Sequence, residues 1–153
     1  MVVTSATTSV LGAEQRMTMP KDKPTVVLAD DHMGILNRVS EVLAQEYNVV
    51  AMVNNGADAV KAVTEFAPDV LILDITMPGM DGIKAGREIK RLGLTSKLIF
   101  LSVREDADYI EAARAIGASY VLKPRLHVDL TLALKETLAG RIFISSFSDH
   151  FVS

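Results

Sequence analysis

The sequence predicts an α/β fold in which a five-stranded parallel sheet carries helices on both faces. Five short, nearly continuous apolar runs alternate with segments whose apolar residues recur at helical spacing. The five strand–helix units follow one another at about the spacing that strand–helix–strand crossovers need. No internal repeat or low-complexity block interrupts them. A doubly wound (βα)5 domain therefore explains the pattern.

The first two units lie in residues 25–66. TVVLA (25–29) is a predicted strand, and the helix after it extends to Glu46. NVVAMV (48–53) is the second strand, and the asparagines of the turn 54–56 can cap the next helix. In that helix the predicted apolar face consists of Ala57, Val60, Val63 and Phe66.

The remaining three units lie in residues 69–140. The strands are DVLILD (69–74), KLIFLS (97–102) and SYVL (119–122). Asp81 and Asp106 are predicted to cap the third and fourth helices, which end at Gly93 and Gly117. The last helix closes at Gly140.

The flanking segments differ from this pattern. Residues 1–24 are rich in Ser, Thr, Ala and Met, and we expect a mobile extension. Residues 25–140 form the predicted domain. Residues 141–153 are too few for a second domain, so we expect a C-terminal tail or the stump of a linker.

Composition excludes several classes of function. The net charge is −3 with mixed signs, which disfavours direct binding of nucleic acid. The absence of cysteine removes disulfides, thiolate metal sites and cysteine nucleophiles, and it fits a cytoplasmic location. No apolar run approaches the ~18 residues of a membrane helix, and the N-terminus lacks the features of a secretory signal.

Polar residues stand at the carboxyl ends of four of the five predicted strands. They are Asp30 and Asp31, Asp74, Ser102 and Lys123. Because the carboxyl ends of parallel strands share one edge of the sheet, these side chains should lie together. Three crowded carboxylates raise at least one pKa unless a cation intervenes, and Mg²⁺ prefers oxygen ligands.

This set of side chains suits phosphoryl transfer. Asp74 can act as a nucleophile that accepts phosphate covalently. Lys123 supplies a positive charge, and the Ser102 hydroxyl can donate a hydrogen bond to a phosphoryl oxygen. Since the transition state is loose, positioning and charge neutralisation provide most of the catalysis.

Four segments carry a family resemblance: VVLADDH, DVLILDITMPGMDG, IFLSV and GASYVLKP, in this order. Over residues 25–140 the chain resembles the receiver domain of two-component response regulators. VLADDH and LAGRIFIS are most similar to receivers of LuxR-type regulators, although no DNA-binding domain follows. The resemblance implies a flavodoxin-like sheet with strand order 2-1-3-4-5.

The resemblance also implies residue roles. Asp74 would be the phosphoacceptor, Ser102 the switch hydroxyl, Tyr120 the aromatic switch and Lys123 the phosphate contact, with a cis peptide between Lys123 and Pro124. Mg²⁺ would bind Asp31, Asp74 and the backbone carbonyl of Thr76 directly, and Asp30 mainly through water.

The implied function is a cytoplasmic, phosphorylation-dependent switch. A sensor histidine kinase or histidine phosphotransfer protein would phosphorylate Asp74. The chain would catalyse only this transfer and its own slow dephosphorylation. The signal would leave through the face of the fourth helix, fifth strand and fifth helix, to an output partner, an effector domain or a phosphorylation-dependent dimer, without membrane contact. We expect either a stand-alone receiver or a receiver cut from a longer regulator.

Structural roles remain open for individual residues. Asp74 alone could cap a turn, residues 30–32 could cap a helix, and Tyr120 and Ser102 could be ordinary strand-end residues. We also hypothesise that Val103, where the family commonly has Ala or Gly, narrows access for water and prolongs the phosphorylated lifetime.

Three other classes of function are compatible with parts of the sequence. A degenerate receiver could act as a constitutive interaction module, against which the complete polar set argues. An aspartate-nucleophile phosphatase needs Asp-x-Asp, and residues 74–76 lack the second acid. The glycine motifs of P-loop and dinucleotide-binding proteins are absent.

Overall fold

The computed structural model describes residues 23–147, which form five parallel strands and five α-helices that alternate along the chain. The strands are β1 (Thr25–Ala29), β2 (Asn48–Val53), β3 (Val70–Asp74), β4 (Lys97–Ser102) and β5 (Ser119–Leu122). The helices are α1 (Met33–Leu43), α2 (Gly56–Phe66), α3 (Gly82–Arg91), α4 (Ala107–Ile116) and α5 (Leu126–Leu138). Of the predicted extension 1–24, all but the last two residues lie outside the described part, as do residues 148–153.

The sheet has the strand order β2-β1-β3-β4-β5, and every pair of neighbours is parallel. This confirms the predicted fold class and strand order. The order reverses between β1 and β3, so the crevice at their carboxyl ends is the place where α/β sheets bind ligands.

The two faces of the sheet carry separate hydrophobic cores, because successive side chains of a strand point to opposite faces. Leu71 and Leu73 of β3 pack with residues of α2, α3 and α4 on one face. Val70 and Ile72 pack with residues of α1 and α5 on the other. Burial on both faces explains why the strands are almost uniformly apolar.

Helix starts follow the predicted caps. Asn55 accepts a hydrogen bond from the Asp58 N–H, Asp81 from the Lys84 N–H, and Asp106 from the N–H groups of Asp108 and Tyr109. These side-chain oxygens satisfy backbone donors that have no partner inside a helix.

Two details of the helices differ from the prediction. Helix α1 ends at Leu43, not Glu46, because residues 44–46 form a turn into β2. In α2 the buried face consists of Ala59, Ala62 and Val63, whereas Phe66 is exposed. A spacing of three residues falls short of the 3.6-residue turn, so four residues spaced by three drift around the helix and cannot share one face.

After α5 the chain returns to the sheet. Residues 141–145 run beside the outer edge of β5, where Ile144 forms a parallel bridge with Tyr120. Within residues 23–147, no helix combines the length and apolarity that a bilayer crossing requires.

Candidate functional site

Asp74 is the last residue of β3 and is almost completely buried, with 3% of its surface exposed. The N–H of Ile75 still donates to the Leu101 carbonyl of β4, which continues the sheet pairing one residue past the aspartate. The Thr76 N–H lies 3.4 Å from Asp74 Oδ1. The strand therefore delivers this carboxylate to the sheet edge in a defined position.

Asp30 and Asp31 follow β1 directly. Asp30 is 1% exposed, and its N–H donates to the Val53 carbonyl of β2. Asp31 is partly exposed. Oxygens of these two carboxylates and of Asp74, with a ring nitrogen of His32, all lie within 4.8 Å of one another. The structure thus brings the three predicted acidic residues into one cluster.

Lys123, the residue after β5, reaches into this cluster. Its Nζ lies 2.8 Å from Asp30 Oδ2 and 3.2 Å from Asp74 Oδ1, and only 9% of the side chain is exposed. Within residues 23–147, no hydrogen bond of acceptable angle reaches Asp30 Oδ2, although the ammonium is so close. The contact between Lys123 and Asp30 is therefore an ion pair, and Asp30 Oδ2 can still accept a hydrogen bond from a donor with a better angle.

The charges at the site do not balance. Burial raises the pKa of Asp74 above its ordinary value, and the charge of Asp30 raises it further. Lys123 and the hydrogen bond from Thr76 act in the opposite direction but do not compensate. Three carboxylates thus face one ammonium, and a divalent cation would restore the balance.

Ser102 and Tyr120 meet at a backbone carbonyl beside the acidic cluster. The Ser102 hydroxyl donates to the Arg104 carbonyl at 3.1 Å, and the Tyr120 hydroxyl donates to the same oxygen at 2.8 Å. Tyr120 is completely buried, and burial raises the pKa of its hydroxyl, which therefore keeps its proton. In this structure the serine hydroxyl hydrogen is directed to the β4–α4 loop.

The structure corrects the sequence interpretation of the site at one peptide bond and adds one contact. The described residues contain no cis peptide, so the prediction for Lys123–Pro124 is wrong. Residues 123–125 form a 3₁₀ turn with Pro124 in its first positions, where proline is tolerated in its preferred trans form. His32 makes a contact that the sequence analysis did not predict: its Nδ1 lies 3.2 Å from Asp30 Oδ1 and 3.1 Å from Asp31 Oδ1.

Two participants in the site were not predicted from the sequence, the Arg104 carbonyl and Gly82. The Arg104 carbonyl is a backbone acceptor that every residue possesses, so residue type could not reveal it. Gly82 approaches the backbone of Asp74 so closely that a Cβ atom would overlap the Asp74 carbonyl oxygen. The glycine in MPGMDG was a usable signal, because close backbone approach is a common reason for glycine.

Comparison with known proteins agrees with this geometry. The family model of the response regulator receiver domain matches residues 26–135. The transcriptional regulatory protein DegU of Brevibacillus brevis is 32% identical over 127 residues, 81% of this chain and 54% of that protein. The chemotaxis protein CheY of Bacillus subtilis is 32% identical over 115 residues, 74% of this chain and 96% of that protein.

A solved structure is similar as well. The crystal structure of a DNA-binding response regulator of the LuxR family from Staphylococcus aureus has a TM-score of 0.71 and 29% identity, covering 75% of this chain and 98% of that one. The chain spans about half the length of DegU, with 54% covered, and nearly all of CheY, with 96% covered. The sheet order, the acidic edge and these matches together show that the chain belongs to the response regulator receiver domain family.

Proposed function

We propose that this domain accepts a phosphoryl group on Asp74 and works as a phosphorylation-dependent switch. The observation that carries the proposal is the position of Lys123 Nζ, 2.8 Å from Asp30 and 3.2 Å from Asp74 in a nearly buried pocket. Such a pocket offers a nucleophilic carboxylate, a cation beside it and further carboxylates that can hold a metal.

The reaction transfers a phosphoryl group from a phosphohistidine to Asp74. A carboxylate oxygen of Asp74 attacks phosphorus, the bond between phosphorus and the histidine nitrogen breaks, and the imidazole leaves with the bonding electrons. The transferred group carries negative charge on its peripheral oxygens throughout. Lys123 neutralises part of this charge without moving far, because its ammonium already touches Asp74.

The acidic cluster fits a magnesium ion by its chemistry. Its donors are carboxylate oxygens of Asp31 and of the buried Asp30 and Asp74, and no described residue gives Asp30 Oδ2 a well-directed hydrogen bond. Asp31, Asp74 and the Thr76 carbonyl would bind the ion directly, with Asp30 mainly acting through water. When bound, Mg²⁺ supplies positive charge that offsets the carboxylates and the phosphoryl oxygens.

The Ser102 hydroxyl can change its hydrogen-bond acceptor when a phosphoryl group is bound to Asp74. A hydroxyl has a single hydrogen, which Ser102 donates to the Arg104 carbonyl. To donate to a phosphoryl oxygen on Asp74, it must give up that bond. The β4–α4 loop then loses one of the two hydroxyls that hold Arg104, while Tyr120 remains the second. This exchange is our proposed switch between two conformations.

The proposed partners follow from this chemistry. A sensor histidine kinase or a histidine phosphotransfer protein supplies the phosphoryl group, and the face of α4, β5 and α5 passes the signal to an output partner or effector domain. Beyond its own phosphorylation, the chain catalyses only slow loss of the phosphoryl group, since Asp74 is shielded from water.

Intact mass spectrometry after incubation with a small phosphodonor and Mg²⁺ tests the proposal. We expect the parent protein to gain one phosphoryl group and Asp74→Asn to gain none. Asp108→Asn, which changes an exposed aspartate of α4, is the matched control and should be phosphorylated like the parent. Phosphorylation of Asp74→Asn at the parental level would contradict the assignment.

A further inference from the structure

Residues 143–147 form a C-terminal strap along the free edge of β5. The Tyr120 N–H donates to the Phe143 carbonyl and the Ser145 N–H donates to the Tyr120 carbonyl, both at 2.8 Å. The strap thus takes the place of a further parallel strand beside Tyr120. It covers the β5 part of the face through which the signal is proposed to leave.

One end of the strap is attached to rigid elements. Ser145 is completely buried, and its hydroxyl donates to Asp129 Oδ2 of α5 at 2.6 Å. The Phe143 N–H donates to the Ser119 hydroxyl of β5 at 3.0 Å. These contacts join the strap to a strand and a helix that both belong to the packed domain.

The other end is attached to the β4–α4 loop. The Ser146 hydroxyl donates to Glu105 Oε2 at 3.0 Å, and the Phe147 N–H donates to Glu105 Oε1 at 2.9 Å. Glu105 adjoins Arg104, whose carbonyl accepts both the Ser102 and the Tyr120 hydroxyl. One loop therefore connects the hydroxyl that meets the phosphoryl group with the end of the strap.

We propose that this strap covers the β5 part of the output face, which is formed by α4, β5 and α5. We further infer that phosphorylation of Asp74 releases the end of the strap that is bound to Glu105. When Ser102 turns to the phosphoryl group, Arg104 loses a hydrogen bond and the loop shifts with Glu105. The strap cannot follow because Phe143 and Ser145 hold it to β5 and α5. Hydrogen bonds weaken steeply outside a narrow range of distance and angle, so the two Glu105 contacts break first.

The coupling is reciprocal. If phosphorylation weakens the hold of Glu105 on the strap, then removal of Glu105 must favour the conformation that binds the phosphoryl group. This inference rests on the proposed function, because it needs Asp74 to be the acceptor. It adds the segment on which that switch acts.

The test uses beryllofluoride with Mg²⁺ as a stable substitute for the phosphoryl group on the full chain. Fluorine NMR measures its binding, and NMR-detected hydrogen exchange follows the amides of Ser145 and Phe147. With beryllofluoride bound, we expect the Phe147 amide to exchange at least about fivefold faster, the lower end of typical coupling between sites. The Ser145 amide, bonded to Tyr120, should keep its protection.

Glu105→Ala provides the reciprocal measurement. Its Phe147 amide should exchange rapidly without ligand, and it should bind beryllofluoride at least about fivefold more tightly than the parent. Glu111→Ala changes an exposed glutamate of α4 and is the matched control. It should leave both quantities at the parental values.

The outcomes separate the two proposals. Beryllofluoride that binds the parent but leaves Phe147 exchange unchanged, or that binds Glu105→Ala and the parent equally, overturns the strap and leaves the phosphoacceptor intact. Failure of the parent to bind beryllofluoride overturns the proposed function, and the strap mechanism falls with it.

Discussion

Substitution of Gly82 by alanine should displace Asp74, the proposed phosphoacceptor, without touching its side chain. Gly82 opens α3, and its N–H donates to the Ile75 carbonyl at 2.8 Å, which closes the loop after Asp74. An added Cβ would overlap the Asp74 carbonyl oxygen. It would also lie 2.9 Å from the Asp74 carbonyl carbon and from Ile75 Cα. All three neighbours are backbone atoms, so no side chain can rotate away.

The size of the effect follows from these distances. Ordinary contacts of a Cβ atom begin at 3.4 Å, so clearing the Asp74 carbonyl oxygen requires the backbone of Asp74 or α3 to move by about 1 Å. Catalytic groups need to be held within about 0.5 Å, and a misplacement of about 1 Å can cost about 100-fold in rate. We therefore expect phosphorylation about 10- to 100-fold slower. Overpacking should lower the free energy of unfolding by about 1–3 kcal/mol.

A time course of intact mass with a small phosphodonor and Mg²⁺ measures the rate, and urea unfolding measures the stability. Gly34→Ala in α1 is the matched control, because a Cβ at this position meets no atom of the described residues within 4 Å. It should keep the parental rate and gain up to about 1 kcal/mol of stability from helix propensity. A Gly82→Ala protein with both the parental rate and the parental stability would show that the added Cβ does not displace the Asp74 backbone.

Two further predictions concern side chains that surround Asp74. Lys123→Met leaves the Asp30 and Asp74 carboxylates without their shared cation, and without divalent ions it should lower the free energy of unfolding by about 3–5 kcal/mol in urea unfolding. The exposed Lys97→Met is its control, and an equal loss in both variants would contradict the buried ion pair. Val103 is 62% exposed and lines a cleft with Lys123. Val103→Ala should therefore let water reach the phosphoryl group more easily and speed dephosphorylation of the phosphorylated protein. Dephosphorylation no faster than in the parent would remove that role for Val103.

Much of the fold could be predicted because its signals are local and repeated. Continuous apolar runs mark strands that are buried on both faces, and Asp81 and Asp106 cap helices through hydrogen bonds within three residues. The strand order came from the family resemblance. The predicted apolar face of α2 is wrong because residues spaced by three drift around a helix of 3.6 residues per turn.

The residues of the site also differ in whether the sequence could predict them. Asp30, Asp31, Asp74 and Lys123 could be grouped because they end strands that share one edge of the sheet. The strap could not be predicted, because its hydrogen bonds to Tyr120 join backbone atoms and do not depend on residue type. The sequence accordingly predicts a tail or a linker stump over residues 141–153, and within this range residues 143–147 pack against β5 and α5.

We propose that phosphoryl chemistry is directed to Asp74 alone among the three carboxylates that cluster at the sheet edge. Borohydride reduction of the phosphorylated protein converts an aspartyl phosphate to homoserine, and tandem mass spectrometry of its peptides then locates the modified residue. Our account predicts homoserine at position 74, with Asp30 and Asp31 unchanged. Homoserine at position 30 or 31, or at none of the three, would contradict it.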